Sequence, residues 1–166
     1  MTVRLTRTAR LLAASLACLA GLALTAVQAP QAEAQTTAAL INQQRAAHGL
    51  APVVYNAQLV SASIRHSRDQ RNNAFSSHTG SDGSTAGQRI TAAGYPAVKY
   101  GEIIGHAWGA PTAIWGDRDM INWWMNSPGH RAHILDAGYT EFGSTMASRT
   151  TNGVQHKYWT VVFGRR

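Results

Sequence analysis

Two histidines three residues apart, His130 and His133, stand in WMNSPGHRAHIL, residues 124–135. A third, His78, lies in SSHTGSDG, and a lone carboxylate, Glu102, is set in the apolar stretch YGEIIG. Imidazole changes charge near neutral pH and is the commonest metal ligand, so these residues offer metal ligation or proton transfer. Ser127 is suited to cap a helix, and Pro128 to its first position, where an N–H has no intrahelical partner anyway. His130 then falls in the first turn, where the positive end of the helix disfavours imidazolium and leaves a ring able to accept or ligate. His133 follows one turn later on nearly the same face. Spacing leaves two arrangements open: an i, i+3 metal pair, or one functional ring and one packed ring. Glu102 is either an exposed edge residue or a buried acid that needs a partner.

The elements that must position these groups follow from periodicity and punctuation. TTAALINQQRAAHG reads as a helix capped by Thr37, with Leu40, Ile41, Gln44, Ala47 and His48 on one face and Gly49 at its end. A second helix starts near Asn56, with Leu59, Ala62, Ser63, His66 and Gln70 as its stripe, and His66, one candidate for function, reads more readily as a packed or surface helix histidine. Residues 72–87 form a polar loop carrying His78, followed by a short helix from Gln88 to Ala93 stopped by Gly94. GDRDMINWWMN is a helix with Ile121, Trp124 and Met125 on one stripe; Trp123 and Trp124 read as aromatic core ahead of a carbohydrate platform. EFGSTMASR and VQHKYWTVVFG are strands joined at Asn152-Gly153, a hairpin signal. Trp159, Val161 and Phe163 alternate with Tyr158 and Val162, so apolar side chains leave both faces and the sheet must be covered twice. Helices first and a hairpin last point to a layered sandwich.

The chain has 166 residues, 45% hydrophobic and 14% charged, which suits one domain with a sizeable core. Arg4, Arg7 and Arg10 precede an apolar run from Leu11 to Val27, and Ala32-Glu33-Ala34 offers a cleavage point, so residues 1–34 read as a secretory signal peptide and 35–166 as the mature domain. The competing reading, a membrane span, fits less well, because the run is short and no cationic stop-transfer flank follows. Cys18, the only cysteine, lies in that leader, so the exported domain has no disulfide to hold it. Losing three arginines and one glutamate takes the formal charge from +7 to +5. The remaining cations are scattered, without the basic blocks of a nucleic-acid surface, and read first as a solvated face, with attraction to anionic wall polymers or lipid head groups as the alternative. Ser76, Ser77 and Ser81 beside His78 have no nucleophile elbow around them and read as turn formers.

Taken in order, LINQQRAAHGLAPV, SHTGSDG, YGEII, WMNSPGHRAHIL, EFGSTM and YWTVVFG resemble the bacterial, SCP-like branch of the CAP superfamily, which includes cysteine-rich secretory proteins, venom antigen 5 and plant pathogenesis-related proteins. The resemblance covers nearly all of residues 37–166. It implies an α+β fold, a three-layer α-β-α sandwich around a central antiparallel sheet, with a cleft that in some members binds a divalent metal such as zinc. By matching motifs, His78, Glu102 and His130 are the metal set; His133 stands where similar sequences usually carry Asn. Ile103 replaces the Asn of the family's GENI motif, and no second cleft glutamate is found among Trp124, Met125 and Asn126, which leaves Asp82 as the substitute cleft acid. Two imidazoles and a carboxylate make a sound zinc set with a position open. Without metal the same three could form a hydrogen-bonded network. The resemblance implies a secreted module for lipid, sterol or cell-surface ligands, or alternatively a metal-dependent hydrolase of peptidase type, with no nucleic acid and no stable membrane span once the leader is cleaved.

Overall fold

The computed structural model describes residues 36–166, so the leader expected over 1–34, with Cys18, lies outside the described residues. Helix α1 covers 36–47, and β1 (Val54–Tyr55) precedes α2 (Ala57–Asn73) and α3 (Ala86–Ala92). Strand β2 (Lys99–Gly109) leads to α4 (Asp117–Met125) and α5 (Pro128–Ile134), and the chain closes with β3 (Glu141–Thr151) and β4 (Val154–Arg165). The sheet runs β1-β3-β4-β2. The expected antiparallel sheet is present in β2, β4 and β3, and the two-residue β1 adds a parallel edge against Glu141 and Phe142.

Alternation along β4 divides the molecule into layers. Trp159, Val161 and Phe163 join Ile103, Phe142, Ile41, Met120, Ile121, Trp124 and Ile134 in a core under α1, α4 and α5. On the other face Val162 packs with Leu59, Ala62 and Ile90 of α2 and α3, completing the α-β-α sandwich. Asn152 and Gly153 both have positive φ, 51° and 77°, as a two-residue hairpin turn requires. Asn56 caps α2 through Gln58 and Leu59 N–H, and the stripe Leu59, Ala62, Ser63, His66 and Gln70 is buried as its spacing implies.

Three expectations need correction. Thr37 is not a cap: it lies inside α1, buried, and its hydroxyl donates to Asp117 Oδ2 at 3.1 Å. The buried stripe of α1 is Thr37, Ile41 and Arg45, while Ala47 and His48 are exposed. Arg45, 1% exposed, turns inward because its guanidinium donates to the carbonyls of Ala51, Ile134, Asp136 and Tyr139, tying α1 to the end of α5. Of the tryptophan pair only Trp124 is core, with its Nε1 donating to the Ile104 carbonyl at 2.9 Å, whereas Trp123 is 44% exposed.

Candidate functional site

Strand β2 is an edge strand, and its even-numbered side chains point toward the α2/α3 layer while its odd-numbered ones face α4 and α5. Glu102 sits opposite Val162 on the first of these faces, with a side chain only 3% exposed. Its two oxygens are spoken for. Arg89 Nη2 donates to Oε1 at 2.9 Å and to Oε2 at 2.8 Å, and His78 Nδ1 donates to Oε1 at 2.9 Å. An ionised carboxylate only accepts, so His78 Nδ1 carries the proton of this bond, while Nε2 takes no hydrogen bond among the described residues on a side chain 58% exposed. A second ring, His66, brings Nε2 to 3.9 Å from Oε1 and donates from that nitrogen to the Ser77 carbonyl at 2.8 Å. Its Nδ1 is buried and unpartnered, the state of a neutral imidazole.

Arg89 organises this side of the cleft. Besides Glu102, it donates to the carbonyls of Ser84 and His78, and so grips both arms of the loop between α2 and α3. Asp69 holds the same loop by accepting from the N–H and hydroxyl of Ser81. Asp82, the expected substitute cleft acid, accepts from Ser84 N–H through Oδ1 and from Arg65 through Oδ2. Its contacts therefore serve the loop, and none joins it to His78, Glu102 or His130 among the described residues.

Across the edge of β2, α5 supplies the other rings. His130 Nδ1 lies 2.7 Å from Ser127 Oγ, the residue that starts the helix, and the ring centroid is 5.0 Å from that of Trp123. His133 Nδ1 lies 3.1 Å from the Tyr139 hydroxyl, which donates to the Tyr100 carbonyl. Gly101 permits this crossing: a Cβ there would lie 2.5 Å from His133 Nδ1. Spacing leaves His133 open between ligand and packing; the structure gives it a packing partner and also brings it within electrostatic range of His78 and His130.

Burial pushes the His130 and His133 pKa values down, and the neighbouring rings add to this: His78 and His133 act on His130, and His78 acts on His133. Asp136 and the Ile104 carbonyl oppose these shifts without reversing them. His66 is likewise lowered, chiefly by burial. For Glu102 burial alone would raise the pKa, but the hydrogen bonds from His78 and Arg89 and the charge of Arg89 outweigh it and hold the acid below its ordinary value. All four folded values are depressed, so the associated stability is present above the unfolded values and is lost as pH falls through the folded ones. Urea denaturation should therefore show stability eroding from about pH 6.5 as the histidines charge, and more steeply below about pH 4.3 as Glu102 protonates. A flat profile between these limits would contradict this electrostatic picture.

The structure thus joins His78 and Glu102 directly, and sets His130 within electrostatic range of His78 but without a hydrogen bond to either. Among the described residues no group of three or more His, Cys, Asp or Glu side chains stands ready to enclose a metal ion. The donor chemistry still suits one: His78 Nε2 is free, its Nδ1–H is held by a carboxylate in the manner of metal-bound histidines, and the facing rings are kept neutral. Glu102 suits the supporting role, since both oxygens are engaged. Arg89 and His66 belong to this network without having been expected there. His66 sits on the buried stripe of α2, but nothing in the spacing of Gln88-Arg89-Ile90 marks its arginine as buried.

A family model described as CAP, the cysteine-rich secretory protein family, matches residues 38–163. A Bacillus subtilis (strain 168) protein named uncharacterized membrane protein YlbC is 29% identical over 128 residues, covering 76% of this chain. The chain spans only 33% of the length of that relative. Among solved structures, an outer surface protein from Borrelia burgdorferi matches with a TM-score of 0.68 at 21% identity, over 80% of this chain and 91% of that one. An extracellular protein containing a SCP domain from Bacillus anthracis str. Ames matches with a TM-score of 0.65 at 24% identity, over 82% of this chain and 41% of that one. These likenesses bear on the fold. No helix among the described residues is long and apolar enough to cross a membrane.

Proposed function

The chain belongs to the cysteine-rich secretory protein (CAP) family, and from that premise we propose that it is an exported binding module whose cleft takes a divalent metal, zinc first, for lipid, sterol or cell-surface ligands. His78 and His130 would hold the ion, with Glu102 orienting His78 and His133 as the nearest further imidazole. Bound there, zinc would offer open positions to an oxygen donor of a ligand. Export is supported by the leader pattern over 1–34 and by the descriptions of two structural relatives as extracellular and outer-surface proteins.

The observation that carries a binding role over hydrolysis is the state of the acid. A general base must be free to take a proton near working pH. Glu102 is ion-paired to Arg89, hydrogen-bonded to His78 and held below its ordinary pKa, and Asp82 is paired to Arg65. Calorimetric titration with zinc chloride is the test. His78→Ala and His130→Ala should each lower the zinc bound per chain by one, because each removes a nitrogen the other cannot replace. If neither substitution changes stoichiometry or affinity, the cleft is not a metal site. Metal-dependent turnover of peptide or ester substrates by the wild type, lost in Glu102→Gln, would favour the hydrolase instead.

A further inference from the structure

Four residues up β2 from Glu102, about 13 Å along the strand at the usual rise, a second imidazole cluster lies outside the cleft. His106 Nε2 and His156 Nδ1 face each other at 3.2 Å across the β2–β4 ladder. Their ring planes differ by 17° with centroids 5.4 Å apart, so the rings meet edge to edge. His106 rests on the Tyr158 ring, 4.3 Å between centroids and 6° from parallel, and the exposed Trp108 lies 5.1 Å to its side. Both histidines are half-buried, and the strands fix their backbones.

We propose that His106 and His156 form a second, two-histidine site for a divalent transition metal such as zinc, nickel or copper, independent of the cleft. Two imidazole nitrogens each about 2.0–2.1 Å from a tetrahedral ion stand roughly 3.3 Å apart, close to the spacing already present. Between neutral rings only one proton occupies the space between the two facing nitrogens. Moving it to the other nitrogen of the same ring frees both lone pairs with no net proton released. A turn of each partly exposed ring then makes the lone pairs converge, and water completes the coordination. Arg149, directly across from His156 in the β3–β4 ladder, is a cation close enough to disfavour charge on His106. It must weaken the binding of a dication in the same way.

The test is zinc titration of the untagged protein carrying His78→Ala and His130→Ala together, which removes the cleft from the reading. One equivalent of zinc should still bind. Adding His106→Ala or His156→Ala should weaken it by about tenfold or more, as losing a donor costs at least what losing a supporting residue does. Adding Arg149→Gln should tighten it, a gain that a purely structural histidine pair would not show. No zinc bound by the cleft-deleted protein, or the same affinity after His106→Ala, would overturn the site. Loss of cleft binding in otherwise intact protein would leave this result unaffected, so the two readings fail separately.

Discussion

Arg89→Leu is expected to cost about 3–5 kcal/mol of stability, the range for removing one partner of a buried ion pair. The side chains of Arg89 and Glu102 are 1% and 3% exposed, so water cannot take the place of the guanidinium. The carboxylate would keep only His78, and it would respond by binding a proton: its folded pKa, now depressed, would rise. The sign of its pH dependence would then reverse. In the wild type the Glu102 contribution is present above the unfolded value and lost toward acid; in the variant, stability would instead fall as pH rises through the raised value. Urea denaturation of both proteins across the acid range reads this directly. Arg89→Leu with Glu102→Leu should recover much of the loss, since replacing both members of a buried pair by apolar groups is often neutral. A single variant that loses under about 1 kcal/mol would mean that the pair is solvated and the electrostatic account is wrong.

The same arginine marks where local spacing stops being informative. Periodic stripes make α2, the α4 core face and the β3–β4 hairpin legible, because local spacing decides which side chains face inward. Arg45 and Arg89 defeat that rule: each is buried by acceptors brought from distant segments, the carbonyls of Ile134, Asp136 and Tyr139 for one, Glu102 and the His78 loop for the other. A stripe of apolar periodicity leaves arginine on the solvent side, so it assigns Gln44, Ala47 and His48 to the inner face of α1 in place of Arg45. Strand β1 is invisible for a related reason: a two-residue parallel bridge has no period and depends on Glu141 and Phe142, far along the chain. Glu102 is legible as a question, since an acid in an apolar strand needs a partner. Its His78 partner comes from the order of motifs, and its Arg89 partner from neither motif nor spacing.

Gly143→Ala should be the most damaging change of a single methyl group in the described domain, costing about 3 kcal/mol or more, at the upper end of overpacking penalties. Gly143 lies on β3 opposite Val162, where the first turn of α2 crosses the sheet. A Cβ there would overlap Val60 N and Leu59 C and sit 2.7 Å from the Leu59 carbonyl. These are backbone atoms of a helix, so no rotamer change relieves the clash and α2 itself must move. That displacement reaches the cleft, because α2 carries His66 and Asp69, which hold Ser77 and Ser81 of the loop presenting His78. The variant should therefore melt lower and also bind zinc more weakly, although it alters no candidate ligand. Gly129→Ala is the matched control: it lies in α5, a Cβ there meets nothing within 4 Å, and its φ is not positive. It should be neutral or stabilise by up to about 1 kcal/mol through helix propensity. Equal melting temperatures for the two variants would mean that α2 does not press on the sheet at Gly143, and the route from that contact to His78 would fail with it.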